Sequence, residues 1–256
     1  MINNYHGHTI RCHHAQGSDK AYVEQAIAEG FSTYGFSDHT PWPYIGFTSS
    51  IRMDVSELEG YCSSLRSLSS ANSEKIHIMV GLECECFPNF FPWLDEMKER
   101  YQLDYLILGN HFIGDEQTGV YAGKAITKDQ VLSYEREVAF AMSTHRFAYL
   151  AHPDIIFSSY TKFDDVCRGV SHAICDLSIK YGFPLEYNLL GIKKRKEGRF
   201  VGLGYPCPEF WDIVGESGCK VIVGLDAHDP AWIDGSFFSE QVTELKERGF
   251  KLVDSL

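Results

Sequence analysis

Tyr5-His6-Gly7-His8-Thr9, with His14 six residues past His8, is the stretch from which the fold is read. Side chains on extended backbone alternate faces, so His6 and His8 point the same way and can grip one cation. His14 lies past a loop and can reach a neighbouring ion. Alone, the motif is short, and a surface strand that merely carries histidines looks the same. Its weight comes from the rest of the chain, where strand-like segments end in residues of the same chemistry.

Outward from that stretch, apolar runs alternate with helical patterns. Strands are expected at 33–37, 76–80, 105–108, 147–151, 185–188 and 220–224, besides the first. Helices are expected from Ser18 or Asp19 to Gly30, and from Asp54-x-x-Glu57 through Leu68. Others run through Leu94, Met97 and Tyr101, from the capping box Thr127-x-x-Gln130 through Ala141, and over 164–181 with Gly182 as its stop. A short one surrounds Trp211, and a last amphipathic one carries Val242 and Leu245. No repeat, low-complexity run or polar linker divides the sequence, so residues 1–256 are expected to form a single domain.

Alternating strand–helix units imply a parallel sheet with helices outside. Seven such units point to a closed or nearly closed barrel, with an open doubly wound sheet as the alternative. Barrels keep their working residues at the C-terminal ends of the strands. Those ends here carry His6/His8, Asp38/His39, Glu83, His111, His152, Asn188 and Asp226/His228.

Composition narrows the chemistry. Lys+Arg of 23 against Asp+Glu of 35 gives a net charge of −12, which argues against nucleic acid or an acidic membrane as partner. The start of the chain lacks a basic-then-apolar secretion layout and no apolar run reaches the length of a membrane span. Eight scattered cysteines without a C-x-x-C pair fit reduced thiols, so a cytoplasmic protein is expected. Imidazole and carboxylate suit zinc, manganese and iron. Seven of the 11 histidines belong to this donor set, six at the strand ends and His14 past the first, with Glu83 and Asp226 as acids, enough donors for two or three ions. Glu83 is the best bridging candidate, since a carboxylate can span two cations.

Clustered cations lower the pKa of bound water and neutralise charge on phosphoryl oxygens, so metal-assisted hydrolysis of a phosphate ester is the natural reaction. The run Lys193-Lys194-Arg195-Lys196-Glu197-Gly198-Arg199 places five cations in an otherwise acidic protein, as a loop after the sixth strand. A solvated loop is its ordinary explanation; its place on the rim favours a phosphate. Arg195 and Arg199, which can fork two oxygens, stand ahead of Lys193 and its neighbours.

Taken together, His6-x-His8, His14, Ser37-Asp38-His39, Gly81-x-Glu83, Asn110-His111, Ala151-His152-Pro153 and Gly224-Leu225-Asp226-Ala227-His228 resemble the polymerase-and-histidinol-phosphatase (PHP) superfamily over essentially the whole chain. The resemblance implies a distorted (β/α)7 TIM-like barrel with a trinuclear centre at the C-terminal ends of its strands. It assigns one ion to His6, His8, Glu83 and Asp226, a second to Glu83, His111 and His152, and a third to His14, His39 and His228. Zinc is the first choice of metal, with manganese or iron as alternatives.

Phe36-Ser37-Asp38-His39-Thr40-Pro41, Glu186-Tyr187-Asn188 with its basic loop, and Tyr205-Pro206 look most like the monofunctional histidinol-phosphate phosphatases. These hydrolyse L-histidinol phosphate to L-histidinol and phosphate in histidine biosynthesis. A hydroxide bridging two ions is then expected to attack phosphorus. Asp38, Asp226 and Glu83 are the catalytic candidates, Asp38 either handling a proton or supporting His39. Asn188 belongs to the substrate-side set, and the substrate's imidazole and ammonium call for an aromatic or acidic wall, for which Trp42, Tyr44, Phe112 and Glu116, on loops that could reach, are the candidates. A phosphodiesterase or nucleotide hydrolase with the same centre, or a non-catalytic metal-binding PHP module, are the competing readings.

Overall fold

Phe31, Tyr34 and Phe36 in Phe31–His39, and Ile78, Val80 and Leu82 in His77–Cys84, are buried, as are most other positions of both segments. Strands buried on both faces read as continuous apolar runs, and these two pair in parallel, from Thr33 opposite His77 to His39 opposite Glu83. The computed structural model describes residues 2–256. In chain order its strands and helices are β1 (Ile2–Asn4), α1 (Asp19–Ala28), β2 (Phe31–His39), α2 (Leu58–Ala71), β3 (His77–Cys84), α3 (Phe91–Arg100) and β4 (Tyr105–Leu108). There follow β5 (Phe112–Ile113), β6 (Val120–Tyr121), α4 (Lys128–Ser143), α5 (Asp165–Tyr181), β7 (Leu185–Asn188), α6 (Leu189–Lys196), α7 (Pro208–Ser217), β8 (Lys220–Gly224), α8 (Gly235–Glu247) and β9 (Lys251–Leu252).

Contacts group these elements into two units. The first runs up to Ile107 and includes Gly224–Gln241. Its sheet has the order β1-β2-β3-β4. α1 lies on β2 and α2 on β3. The Ser18 hydroxyl accepts from Ala21 N and starts α1. Tyrosines fill this unit where glycines leave gaps. A Cβ on Gly7 would lie 2.6 Å from Tyr34 Oη, and one on Gly81 would lie 2.8 Å from the Tyr105 ring. The Tyr105 hydroxyl donates to the carbonyls of Tyr5 and Phe36, tying β4 to β2 and to the residue just after β1.

The second unit comprises Leu108–Val223 and Val242–Asp254. α4 packs on α5 and α5 on α7, and β7-β8-β9 form its sheet. Thr127 and Gln130 make the expected reciprocal cap on α4, and Asp164 caps α5, which Gly182 ends at φ 64°.

Several local expectations fail for identifiable reasons. The first ladder covers only Ile2–Asn4, and the histidine stretch is extended backbone beyond it. There the Asn4 side chain takes the partners a ladder would use, donating to His6 O and accepting from Leu225 N. The 147–151 segment pairs only through Leu150, opposite Leu108 and Leu185, because His152 turns away at φ 32° before Pro153. The basic run through Lys196 is helical: Asn188 caps α6, and the cations occupy its last turn, where the helix dipole favours positive charge. All eight cysteines are free and buried. No helix among the described residues is long and apolar enough to cross a membrane.

Candidate metal centre

Extended backbone carries His6 and His8 to one side, as the alternation of strand side chains requires. Asp226 N donates to His6 O at 2.9 Å, Ser37 N to Gly7 O at 2.8 Å and His8 N to Ala227 O at 3.0 Å. The stretch is thereby pinned between β2 and the segment after β8. Two carboxylates face the two rings. His6 Nε2 and His8 Nε2 both lie 3.5 Å from Glu83 Oε2, and they lie 3.5 and 3.2 Å from Asp226 Oδ1. His39 Nδ1 comes within 3.0 Å of the same Glu83 oxygen. Donors held about 2.0–2.2 Å from a shared ion stand roughly 3–3.5 Å apart, which is this spacing.

The imidazoles are oriented by what their other nitrogens do. His14 Nδ1 donates to Cys12 O at 2.6 Å and His228 Nδ1 to Asp226 O at 3.0 Å. His8 Nδ1 lies 3.4 Å from Asp38 Oδ1. With Nδ1 engaged in each case, Nε2 is left to act as a ligand. The freed atoms converge: His14 Nε2 is 3.0 Å from His228 Nε2, and His6 Nε2 is 3.2 Å from His8 Nε2. Paired imidazole lone pairs facing one another among buried carboxylates fit divalent cations. Donor atoms of His6, His8 and Glu83, and of His8, His39 and His228, lie within 4.8 Å of one another.

Charge in the pocket follows the same logic. Burial penalises the Asp226 carboxylate, yet His6, His8 and His228 hold its pKa well below the usual range. Burial and the nearby His8 push His228 well down, so that it is a neutral ligand. Burial likewise lowers His14, with His8 adding to the effect. His8 alone is raised: burial opposes its charge, but the Asp226 and Asp38 carboxylates outweigh it. The carboxylates thus call for positive charge at the place where His8 points.

Asp38 spends its oxygens inside the chain. Oδ1 accepts from His39 N at 3.2 Å, while Oδ2 accepts from Thr9 N at 3.1 Å and from the Thr9 hydroxyl. Trp42 is buried three residues beyond His39, stacked against Phe90 with ring centroids 5.8 Å apart. It lines a cleft of about 430 Å³ formed by residues 42–56.

In the second unit, His111 and His152 stand with ring centroids 4.9 Å apart. The buried Glu186 fixes this region, accepting from His152 N at 3.1 Å and Asn188 Nδ2 at 2.9 Å. The Asn188 amide oxygen caps α6 through Gly191 N. Arg195 Nη2 donates to the carbonyls of Leu203 and Pro206 at 2.6 and 2.8 Å, whereas Arg199 pairs with Glu197 at an exposed site. Lys193 lies on the last turn of α6.

The first unit therefore gathers His6, His8, His14, Asp38, His39, Glu83, Asp226 and His228, and the second holds His111 and His152 beside one another. Sequence reading missed Cys12, whose sulfur shares a 4.8 Å cluster with donors of His14 and His228. It also missed Glu186, and the buried pair Arg52–Glu85. Glu85 was findable, since it repeats Glu83 at the spacing of strand side chains. Arg52 carried no such signal.

A PHP domain model matches residues 4–189. The chain belongs to the PHP family. A probable histidinol-phosphatase of Deinococcus radiodurans is 25% identical over 254 residues, covering 97% of this chain and 94% of the relative. A second relative so named, from Schizosaccharomyces pombe, is 20% identical and covers 88% of this chain and 80% of its own length. The fold is shared with histidinol phosphate phosphatase from Lactococcus lactis, solved with zinc, L-histidinol and phosphate. That likeness has a TM-score of 0.74 at 20% identity and covers 98% of this chain and 95% of the other. The fold class expected from the sequence, a distorted (β/α)7 TIM-like α/β fold, stands on this likeness and on the parallel strands alternating with helices.

Proposed function

We propose that this PHP protein is a histidinol-phosphatase, hydrolysing L-histidinol phosphate to L-histidinol and inorganic phosphate with three divalent ions, zinc first among them. The observation that carries the reading is the convergence of the His6 and His8 Nε2 atoms on Glu83 and Asp226, beside the facing Nε2 atoms of His14 and His228, whose Nδ1 atoms are held by backbone carbonyls. The names of both curated relatives, and the zinc, histidinol and phosphate bound by the Lactococcus enzyme, support the substrate and the metal. When bound, such ions supply an acidified water and neutralise charge on the phosphoryl oxygens.

The chain's own residues do the rest. His6, His8, Glu83 and Asp226 would hold one ion, His14, His39 and His228 another, and His111 and His152, with Glu83, a further one. Glu83, seen by three imidazoles through one oxygen, would be the carboxylate shared between ions. Asp38 orients His8 through Nδ1 and fixes the backbone at Thr9 and His39. Arg195, its guanidinium tethered by two carbonyls, is the strongest candidate to meet phosphate, with Lys193 and Arg199 behind it. Asn188 shapes the start of α6 beneath them, and Trp42 walls the cleft assigned to the organic part of the substrate.

The test is phosphate release from L-histidinol phosphate by protein carrying its native metal, beside other monoesters and a dialkyl phosphodiester. A kcat/KM on the order of 10⁴ M⁻¹s⁻¹ or above for histidinol phosphate alone is expected. Equal weak activity on every ester would discard the substrate, and preference for the diester would replace the reaction class.

A further inference from the structure

Arg52 is one of the largest fully buried side chains, 1% exposed, and its partner Glu85 is completely buried. Nη2 donates to Glu85 Oε1 at 2.9 Å, and Nη1 donates to Thr40 O at 3.3 Å. The chain leaves β2 at Thr40 and makes the loop that walls the Trp42 cleft. Arg52 closes that loop by bonding back to its first carbonyl. Thr40 in turn grips β3: Thr40 N donates to Glu83 O at 2.9 Å, and its hydroxyl lies 2.9 Å from the same oxygen. Glu83 and His39 flank these contacts as neighbours in the β2–β3 register.

A buried ion pair is a poor way to stabilise a fold. Removing two charges from water costs about what their attraction returns, and apolar residues of equal volume serve as well or better. What an apolar pair cannot do is hold the Thr40 carbonyl and a carboxylate at one distance with one planar fork.

We propose that Arg52, with Glu85, is a positioning residue for the metal centre: it locks Thr40 and so fixes the pose of Glu83 and His39. Partners behind a metal ligand typically alter affinity 10–100-fold when removed. The inference rests on reading Glu83 and His39 as ligands.

The test is a zinc titration against a chromophoric chelator for wild type, Arg52→Lys, Arg52→Met and the double variant Arg52→Met/Glu85→Met, with Tm and with kcat and KM at low and saturating zinc. Arg52→Met should bind its weakest zinc at least 10-fold less tightly. The double variant should regain the wild-type Tm but not the zinc affinity, and its kcat should recover as zinc is raised while KM stays put. Arg52→Lys keeps the charge without the fork; it should retain the Tm and lose affinity part-way. Wild-type zinc affinity in the double variant, or in Arg52→Lys if the double variant does not fold, would overturn the proposal. Failure of the wild type to bind zinc would instead remove the metal-centre reading on which it rests.

Discussion

His39 Nδ1 stands 3.0 Å from Glu83 Oε2, and the two residues are also direct partners in the β2–β3 register. A backbone ladder therefore sets a contact on which metal binding is read. Because neighbouring parallel strands are locked rung by rung, the approach needs no flexible loop to bring it about.

Replacing Glu83 by Ala takes away the oxygen shared by His6, His8 and His39. Zinc content measured on the purified variant should fall, and turnover should drop by at least about three orders of magnitude. Chelation should lower the Tm of wild type and scarcely move that of the variant, because an ion stabilises only the state that binds it. A fully active Glu83→Ala would end the bridging assignment.

Asp38→Asn keeps an oxygen for one of its partners but offers His8 Nδ1 no negative charge. We expect zinc binding or kcat to weaken 10–100-fold with little change in KM. Binding data and the pH profile of kcat together check this. An altered pH profile with unchanged zinc affinity would mean that Asp38 handles a proton instead.

The two arginines should separate. Arg199 pairs with Glu197 in an exposed bridge, a kind worth about 0–1 kcal/mol, so Arg199→Ala should leave Tm nearly unchanged and raise KM less than the loss of Arg195 does. Arg195→Ala should raise KM for the phosphate ester about 10-fold or more. Identical kinetics for both variants would remove this surface from the phosphate site.

Asp154 gives the protein a pH-dependent stability. Burial pushes its carboxyl up to about 7, against the opposing bonds from Cys207 N and the Trp211 indole and the charge of Arg195. The folded state then keeps a proton that the unfolded chain gives up near pH 4. Stability should fall as pH rises from about 4 to about 7 and level off above, by on the order of 4 kcal/mol. In Asp154→Asn that slope should vanish, so the melting temperatures of the two proteins should lie closest near pH 4 and separate as pH rises. Parallel curves would show that Asp154 is ionised in the fold.

Much of the candidate site was legible because its donors sit at the ends of strands whose apolar runs are plain in the sequence. His39 follows Phe36, Glu83 follows Val80 and Leu82, and Asp226 follows Val221–Val223. Less legible were the places where side chains replace backbone partners. Asn4 intercepts the first ladder, and Asn188 starts a helix within what reads as a basic loop. Arg52 and Glu85 meet across 33 residues, a pairing with no period to reveal it.

The close fit of Gly7 under Tyr34 makes these two positions a single unit of inheritance. Any side chain at 7 collides with the phenol, whose hydroxyl is buried without a hydrogen-bond partner and so offers no polar reason to keep it. Gly7→Ala alone should forfeit zinc binding, and adding Tyr34→Leu should bring part of it back; no recovery would show that the clash with the phenol is not what excludes a side chain at 7. If it does recover, a lineage could exchange glycine and tyrosine for alanine and leucine only by passing through the smaller residue at 34 first. The order of substitution would then be written into the packing between the two histidines.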